Sequence, residues 1–169
     1  MEKGDRLMAH WLFKSEPDVF SFDDLIAKGE TGEEWDGVRN YQARNNMRAM
    51  KKGERGIFYH SNIGKECVGI VEVVAEAHPD SKAADPKWEC VDIRAVARVL
   101  RPVSLDEAKA EPRLKDMVLV NNSRLSVQPV SAEAMHRPAV GQRAQPGRQH
   151  GGAGLQVPLR EVRRGRVVG

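Results

Sequence analysis

Between Trp88 and Leu100 the apolar residues Val91, Ile93, Ala95 and Ala97 alternate with polar ones, the period-two signature of a half-buried strand. Arg55–Ser61 and Glu66–Ala75 predict two more strands. In the second, Cys67, Val71 and Val73 fall on one face and Val68, Ile70 and Val74 on the other. Upstream, Met8–Lys14 carries Trp11, Leu12 and Phe13 consecutively and predicts a buried strand closed by Pro17. Ser21-Phe22-Asp23-Asp24 opens a short helix through Lys28, with Ser21 as N-cap and acidic residues in its first turn. Gly29–Glu34 predicts a loop. Asn40–Lys52 predicts a helix stopping at Gly53, with Arg44, Arg48, Lys51 and Lys52 on one face. His78–Lys87 predicts a loop. Ser104-Leu105-Asp106-Glu107 is a capping box for a helix that breaks near Pro112. Met117–Val120 and Leu125–Val130 predict a last strand region around Asn121-Asn122-Ser123.

Strands dominate the middle and short helices sit in the connections. This pattern predicts an α+β fold, a small curled β-barrel with flanking short helices. The crossover helices of a doubly wound nucleotide fold are missing.

Charge changes the picture, because it is unevenly spread. The net charge of +3 hides a tail, residues 136–169, with seven Arg and one acidic residue, and a body of net charge −3. The basic pI therefore says little about what the body binds. All nine aromatics lie at or before Trp88. The Arg, Gly and Pro of the tail cannot bury enough surface to offset ordering entropy, so the tail reads as disordered. Residues 1–7 read as a short leader, with Met8 an alternative start. No apolar run reaches the roughly eighteen residues of a membrane span. With no signal-peptide pattern, a cytoplasmic protein without a membrane partner is expected. Cys67 and Cys90 read as two buried, unpaired thiols, not at metal-ligand spacing.

Four segments carry candidate chemistry. Trp35-Asp36-Gly37-Val38-Arg39-Asn40-Tyr41-Gln42-Ala43-Arg44-Asn45-Asn46 combines aromatic faces, Asn amides and forked Arg donors, a mix suited to holding a flat polar ring. The ordinary alternative makes Trp35 a core residue and the arginines a solvated face. Lys14-Ser15-Glu16 ends a buried strand, where side chains often line a site; alternatively Ser15 and Glu16 satisfy turn amides. Phe58-Tyr59-His60-Ser61 places a His at a strand end, either as an acid–base group or as a structural hydrogen-bond partner. Ser123–Val130 is either a site strand or an ordinary strand closed by Pro129.

As a set, these segments resemble the EVE-domain family, relatives of the PUA-like fold. Trp-Leu-Phe-Lys-Ser-Glu-Pro at 11–17, Trp-Asp-Gly-Val-Arg-Asn at 35–40 and Phe-Tyr-His-Ser at 58–61 match in order and spacing. So do Val-Gly-Ile-Val-Glu at 68–72 and Arg-Leu-Ser-Val-Gln-Pro-Val at 124–130. The resemblance, to the bacterial single-domain form, covers about Met8 to Ala132, and the domain is expected over residues 8–135. It implies a PUA-like barrel that binds nucleic acid and reads a modified base, modified cytosine favoured. It makes Lys14, Ser15, Glu16, Trp35, Asp36, Arg39, Asn40, His60, Ser61 and Ser126 the expected base pocket. Arg44, Arg48, Lys51 and Lys52 are the expected phosphate contacts. Relatives continue past Gln-Pro-Val into a final apolar helix. Here Ser131–Met135 begins that way before Arg, Gly and Pro take over, so 136–169 reads either as a shifted reading frame or as an Arg-rich extension.

The expected function is a non-catalytic, monomeric reader of a modified nucleobase, with no metal and no cofactor. The alternatives are an enzyme acting on a nucleotide or RNA, and a protein-interaction adaptor with a vestigial pocket. The chain has no zinc-deaminase signature, no Gly-rich phosphate loop and no Ser nucleophile elbow, which weighs against the enzyme.

Overall fold

The computed structural model describes residues 8–122 and 124–135. The expectations for residues 1–7, for Ser123 and for the 136–169 tail lie outside the described residues. Six strands form one mixed sheet: β1 (His10–Ser15), β2 (Glu33–Glu34), β3 (Arg55–His60), β4 (Glu66–Pro79), β5 (Glu89–Ser104) and β6 (Val127–Val130). Their order is β2-β5-β4-β3-β1-β6, with β1 and β3 parallel and the other pairs antiparallel. Five short helices flank the sheet: α1 (Phe22–Ala27), α2 (Tyr41–Ala49), α3 (Leu105–Ala110), α4 (Val118–Asn121) and α5 (Ala132–Met135).

The sheet curls. Helix α2 touches both β5 and β6, four positions apart in the strand order. A helix of nine residues is only about 13 Å long, whereas a flat sheet would hold those strands roughly 19 Å apart. Asn46 Nδ2 donates to the Val127 carbonyl at 2.8 Å and fastens the helix to β6. This is the expected α+β, PUA-like curled barrel with flanking short helices.

Strand alternation explains the consecutive apolar run of β1. Trp11 and Phe13 enter one core with Phe22, Trp35, Phe58 and Ile93, while Leu12 enters a second with Ile57, Tyr59 and Leu119. Helices α1 and α2 cover the first core; α3, α4 and α5 contribute to the second. The predicted capping box at Ser104 and Glu107 forms, and the predicted N-cap Ser21 forms a second one with Asp24.

Five expectations need correction. The loop predicted at Gly29–Glu34 holds a 3₁₀ turn, Gly29–Thr31, and the short strand β2. Helix α2 ends at Ala49, not Lys52: Met50 turns extended and buries its side chain, and the Glu54 carboxylate then accepts from the Lys51 N–H. Lys51 and Lys52 therefore leave the helix that carries Arg44 and Arg48. Strand β4 runs on to Pro79, because pairing to β5 continues through His78–Cys90 and Pro79–Glu89 where the side chains are more polar. The predicted facing in β4 holds for Ile70, Val71 and Val73 but not for Cys67 and Val68: an irregularity between Cys67 and Gly69 sends Cys67 to the second core with Ile70 and sets Val68 against the first with Val71 and Val73. Finally, Val118–Asn121 is a helix rather than a strand. Its β-branched residues suggest extension, but burying Leu119 in the second core overrides that preference.

The absence of a side chain at Gly69 is itself a packing feature. A Cβ there would lie 2.2 Å from Phe22 Cζ, and Phe22 is buried against Phe58. Gly69→Ala is expected to destabilise the domain by roughly 1–3 kcal/mol, read as a lower denaturant midpoint at unchanged m.

Candidate nucleic-acid interface

The parallel pairing of β1 and β3 sets Ser15 beside His60, and the Ser61 N–H donates to the Ser15 carbonyl at 2.9 Å. Alternation divides the predicted pocket between the two faces. Ser15 and His60 share the face of Phe13 and Phe58, the aromatic core. Lys14 lies on the other face, with Nζ 6.0 Å from the Tyr59 ring centre; burial lowers its pKa. The Lys14 N–H donates to the Ser126 carbonyl at 2.9 Å, which places Ser126 alongside.

Several of these groups are already engaged. The Ser15 hydroxyl donates to the Phe20 carbonyl at 2.6 Å, and the Glu16 carbonyl accepts from Val19 and Phe20 N–H, so this segment braces its own turn while the Glu16 side chain is exposed. His60 Nε2 accepts from the Phe22 N–H at 3.1 Å, which fixes the proton on Nδ1. The acceptor sits at the first residue of α1, where the helix dipole disfavours a cation. Burial pushes the His60 pKa below its ordinary value, against the opposing pull of Glu66 and Asp23. The contribution to stability is therefore full above the unfolded value near 6.5 and is lost as pH falls through the lower folded value. A lower protection factor at the Phe22 amide, taken against its intrinsic exchange rate at each pH, is expected on mild acidification, checked by NMR.

Trp35 lies at the centre of an aromatic cluster. It is 8% exposed and meets Phe13, Phe20 and Phe58 edge to face, at centroid distances of 5.4, 6.2 and 5.6 Å. Immediately after it, the segment Asp36–Asn40 is held by a residue that the sequence reading missed. The Asp80 carboxylate, whose side chain is fully buried, accepts from the Gly37 N–H at 2.8 Å, the Lys82 N–H at 2.8 Å and Arg39 Nη1 at 3.0 Å. Burial would raise its pKa, but these donors outweigh burial and hold it below the ordinary value. Asp36 pairs with Lys82 Nζ at 3.0 Å, and Asn40 caps α2 by accepting from the Ala43 N–H at 2.8 Å.

A second aromatic group lies beyond this loop. Tyr41, 54% exposed, stacks on Trp88 with centroids 4.9 Å apart and planes 29° from parallel. Arg44 and Lys87 lie beside the pair, each within 6 Å of both ring centres, and Arg39 lies 5.7 Å from the Trp88 ring centre. A group centred on the outer face of Tyr41 would be farther from Trp88 than Arg44 or Lys87 is, so those two cations flank the stack rather than cap it. Trp88 and Lys87 were also missed; the signal was an aromatic next to Lys where a polar loop enters a strand. Arg48 pairs with Glu89, whereas Lys51 and Lys52 are exposed at the far end of α2.

The structure thus gathers Ser15, His60 and Trp35 around the aromatic core, and Asp36, Arg39 and Arg44 around Asp80 and Trp88. Comparison with known proteins follows the same residues. The EVE domain family model matches residues 9–137. Human thymocyte nuclear protein 1 is 40% identical over 159 residues, covering 75% of this chain and 71% of that protein. A crystal structure of a protein from Agrobacterium tumefaciens is 62% identical with a TM-score of 0.75, covering 76% of this chain and 88% of that one. The crystal structure of human THYN1 in complex with 5-methylcytosine-containing DNA is 40% identical with a TM-score of 0.69, covering 75% and 93%.

Proposed function

The chain belongs to the EVE-domain family, and we propose that it is a non-catalytic, monomeric module that binds nucleic acid and reads a modified base, modified cytosine in particular. One observation carries the reading: an exposed Tyr41–Trp88 stack flanked by Arg44 and Lys87, next to a loop pinned by a buried carboxylate. Stacking tolerates any base, and cations beside the stack suit the phosphates that flank it. The 40% identity to a protein solved with 5-methylcytosine-containing DNA supports the choice of ligand.

In this reading the target base leaves its stack and is read at the exposed edge of the Trp35 cluster. Base-edge discrimination falls to Asp36, Arg39 and the Asn40 amide on the loop, and to Ser15, His60 and Ser61 at the strand ends. Glu16, Lys14 and Ser126 line the neighbouring strand ends. A flanking base stacks on Tyr41. Arg44, Lys51 and Lys52 contact phosphates, as does Arg48 once it exchanges Glu89 for a phosphate.

The test is a panel of short oligonucleotides, each with one plain or modified base, titrated at several salt concentrations. Selective binding of one modified base is expected, with an affinity that falls as salt rises. Tyr41→Ala should weaken all members by about 1–2 kcal/mol, roughly five- to thirty-fold, without changing their order. Equal affinity for every oligonucleotide, or turnover of any of them, would sink the reading.

A further inference from the structure

Four potential ligands from three strands converge on one place outside the proposed base pocket. Glu34 on β2 is directly opposite Asp92 on β5, and His78 on β4 is opposite Cys90 on β5. Directly opposite residues share a sheet face, and Cys90 and Asp92 are two apart on one strand. One ligand atom from each of the four lies within 4.8 Å of all the others. We propose that Glu34, His78, Cys90 and Asp92 form a binding site for a zinc-type divalent cation.

The orientation of His78 points the same way. Its Nδ1 lies 3.2 Å from the Pro79 carbonyl oxygen, which can only accept, so Nδ1 carries the proton. Its Nε2 then faces Asp92 Oδ1 at 2.8 Å, lone pair against carboxylate unless a cation sits between them. In the metal-free protein that cation is a proton; in the loaded protein it is the metal. A metal-ligating imidazole usually donates its other nitrogen to a carboxylate or a backbone carbonyl, as His78 does here. Glu34 is braced in a similar way, its Oε1 accepting from the Ser81 hydroxyl at 2.7 Å.

The donor set selects the ion. A thiolate and an imidazole with two carboxylates suit zinc and its neighbours, and do not suit calcium or magnesium, which take oxygen ligands. Burial first, and then the carboxylates of Glu34, Asp80, Asp92 and Asp36, push the Cys90 thiol up to about 12, so loading must displace its proton. Loading takes up one divalent ion and releases two protons, one from the thiol and one from between His78 and Asp92. Glu34 immediately precedes Trp35, and His78 lies two residues before Asp80. A metal here would clamp the base of the Trp35–Asn40 loop. The inference does not depend on what that loop binds.

The test titrates the purified full chain, stripped by chelator, with zinc and with cobalt(II). The expected result is one equivalent bound, a higher thermal midpoint, and a thiolate-to-cobalt charge-transfer band. His78→Ala, at a position whose side chain is 32% exposed, should weaken zinc binding at least ten-fold while the thermal midpoint of the metal-free protein shows that it is folded. Cys90→Ser should abolish the charge-transfer band. No stoichiometric binding, a cobalt spectrum without the thiolate band, or undiminished binding in His78→Ala would each overturn the proposal. The last result would place the metal at ligands other than His78.

Discussion

Trp35→Ala is expected to cost the domain about 3–5 kcal/mol, the range for truncating a large buried aromatic. The indole fills the space among Phe13, Phe20 and Phe58, and each ring meets it edge to face. Removing it loses the burial and all three ring contacts, and leaves a cavity that three rings held by different parts of the chain cannot close together. The backbone bond from the Trp35 N–H to the Val91 carbonyl at 2.8 Å survives, so the loop entry stays in register while its filling is lost. Domains of this size are stable by roughly 5–15 kcal/mol, so the alanine variant is expected near the limit of folding at 37 °C. Urea unfolding at 10 °C checks the magnitude. Trp35→Phe keeps most of the packing and is the variant for binding. It should weaken the modified base more than the plain one. If it shifts both equally or neither, Trp35 only packs the core and base reading lies elsewhere.

How much of this was legible in the sequence depends on the range of the interaction. The buried strand at Trp11–Phe13, the N-cap Ser21 and the capping box at Ser104 rest on neighbours a few residues apart, and all form. The facing of Cys67 and Val68 in β4 was not legible, because bulges depend on the partner strand rather than on local pattern. Nor was the helix at Val118–Asn121, decided by the burial of Leu119 against distant residues. The candidate site divides in the same way. The Trp35–Asn40 segment stood out by composition. Its anchor, Asp80, lies 43 residues from Gly37 and looked like one acidic residue among several in a loop. Trp88 lies 47 residues from Tyr41, and its local signal, an aromatic next to Lys at the start of a strand, did not name its stacking partner. The four-residue cluster around His78 was hidden for a related reason: its members lie at no metal-site spacing along the chain, and only strand register brings them together.

Asp80→Ala is expected to cost about 2–4 kcal/mol and to remove base discrimination with it. The stability loss has two sources. The N–H groups of Gly37 and Lys82 lose their acceptor, and the Arg39 guanidinium loses its counter-charge. The loss stays below that of a fully buried ion pair because the Arg39 side chain is 39% exposed and can turn to water. Asp80→Asn should recover only part of it, since an amide presents a donor to one of the three donors that the carboxylate satisfies. The pH dependence gives an independent check. The folded carboxyl titrates below its ordinary value of 3.8, so its contribution is present above that value and is lost as pH falls through the lower folded one. Wild-type stability should therefore drop more steeply below pH 4 than that of Asp80→Asn, and the two curves should converge at the acid end. Binding follows from the same contacts. Without Asp80, Gly37 is released and Arg39 leaves its position near Trp88, so Asp36, Arg39 and Asn40 no longer present a fixed edge to a base. A flexible loop can still meet phosphates but cannot tell one base from another. Asp80→Asn, measured above its unfolding transition pH, should thus bind plain and modified oligonucleotides with nearly equal affinity. Retained selectivity in a folded Asp80→Asn domain would show that the loop does not read the base.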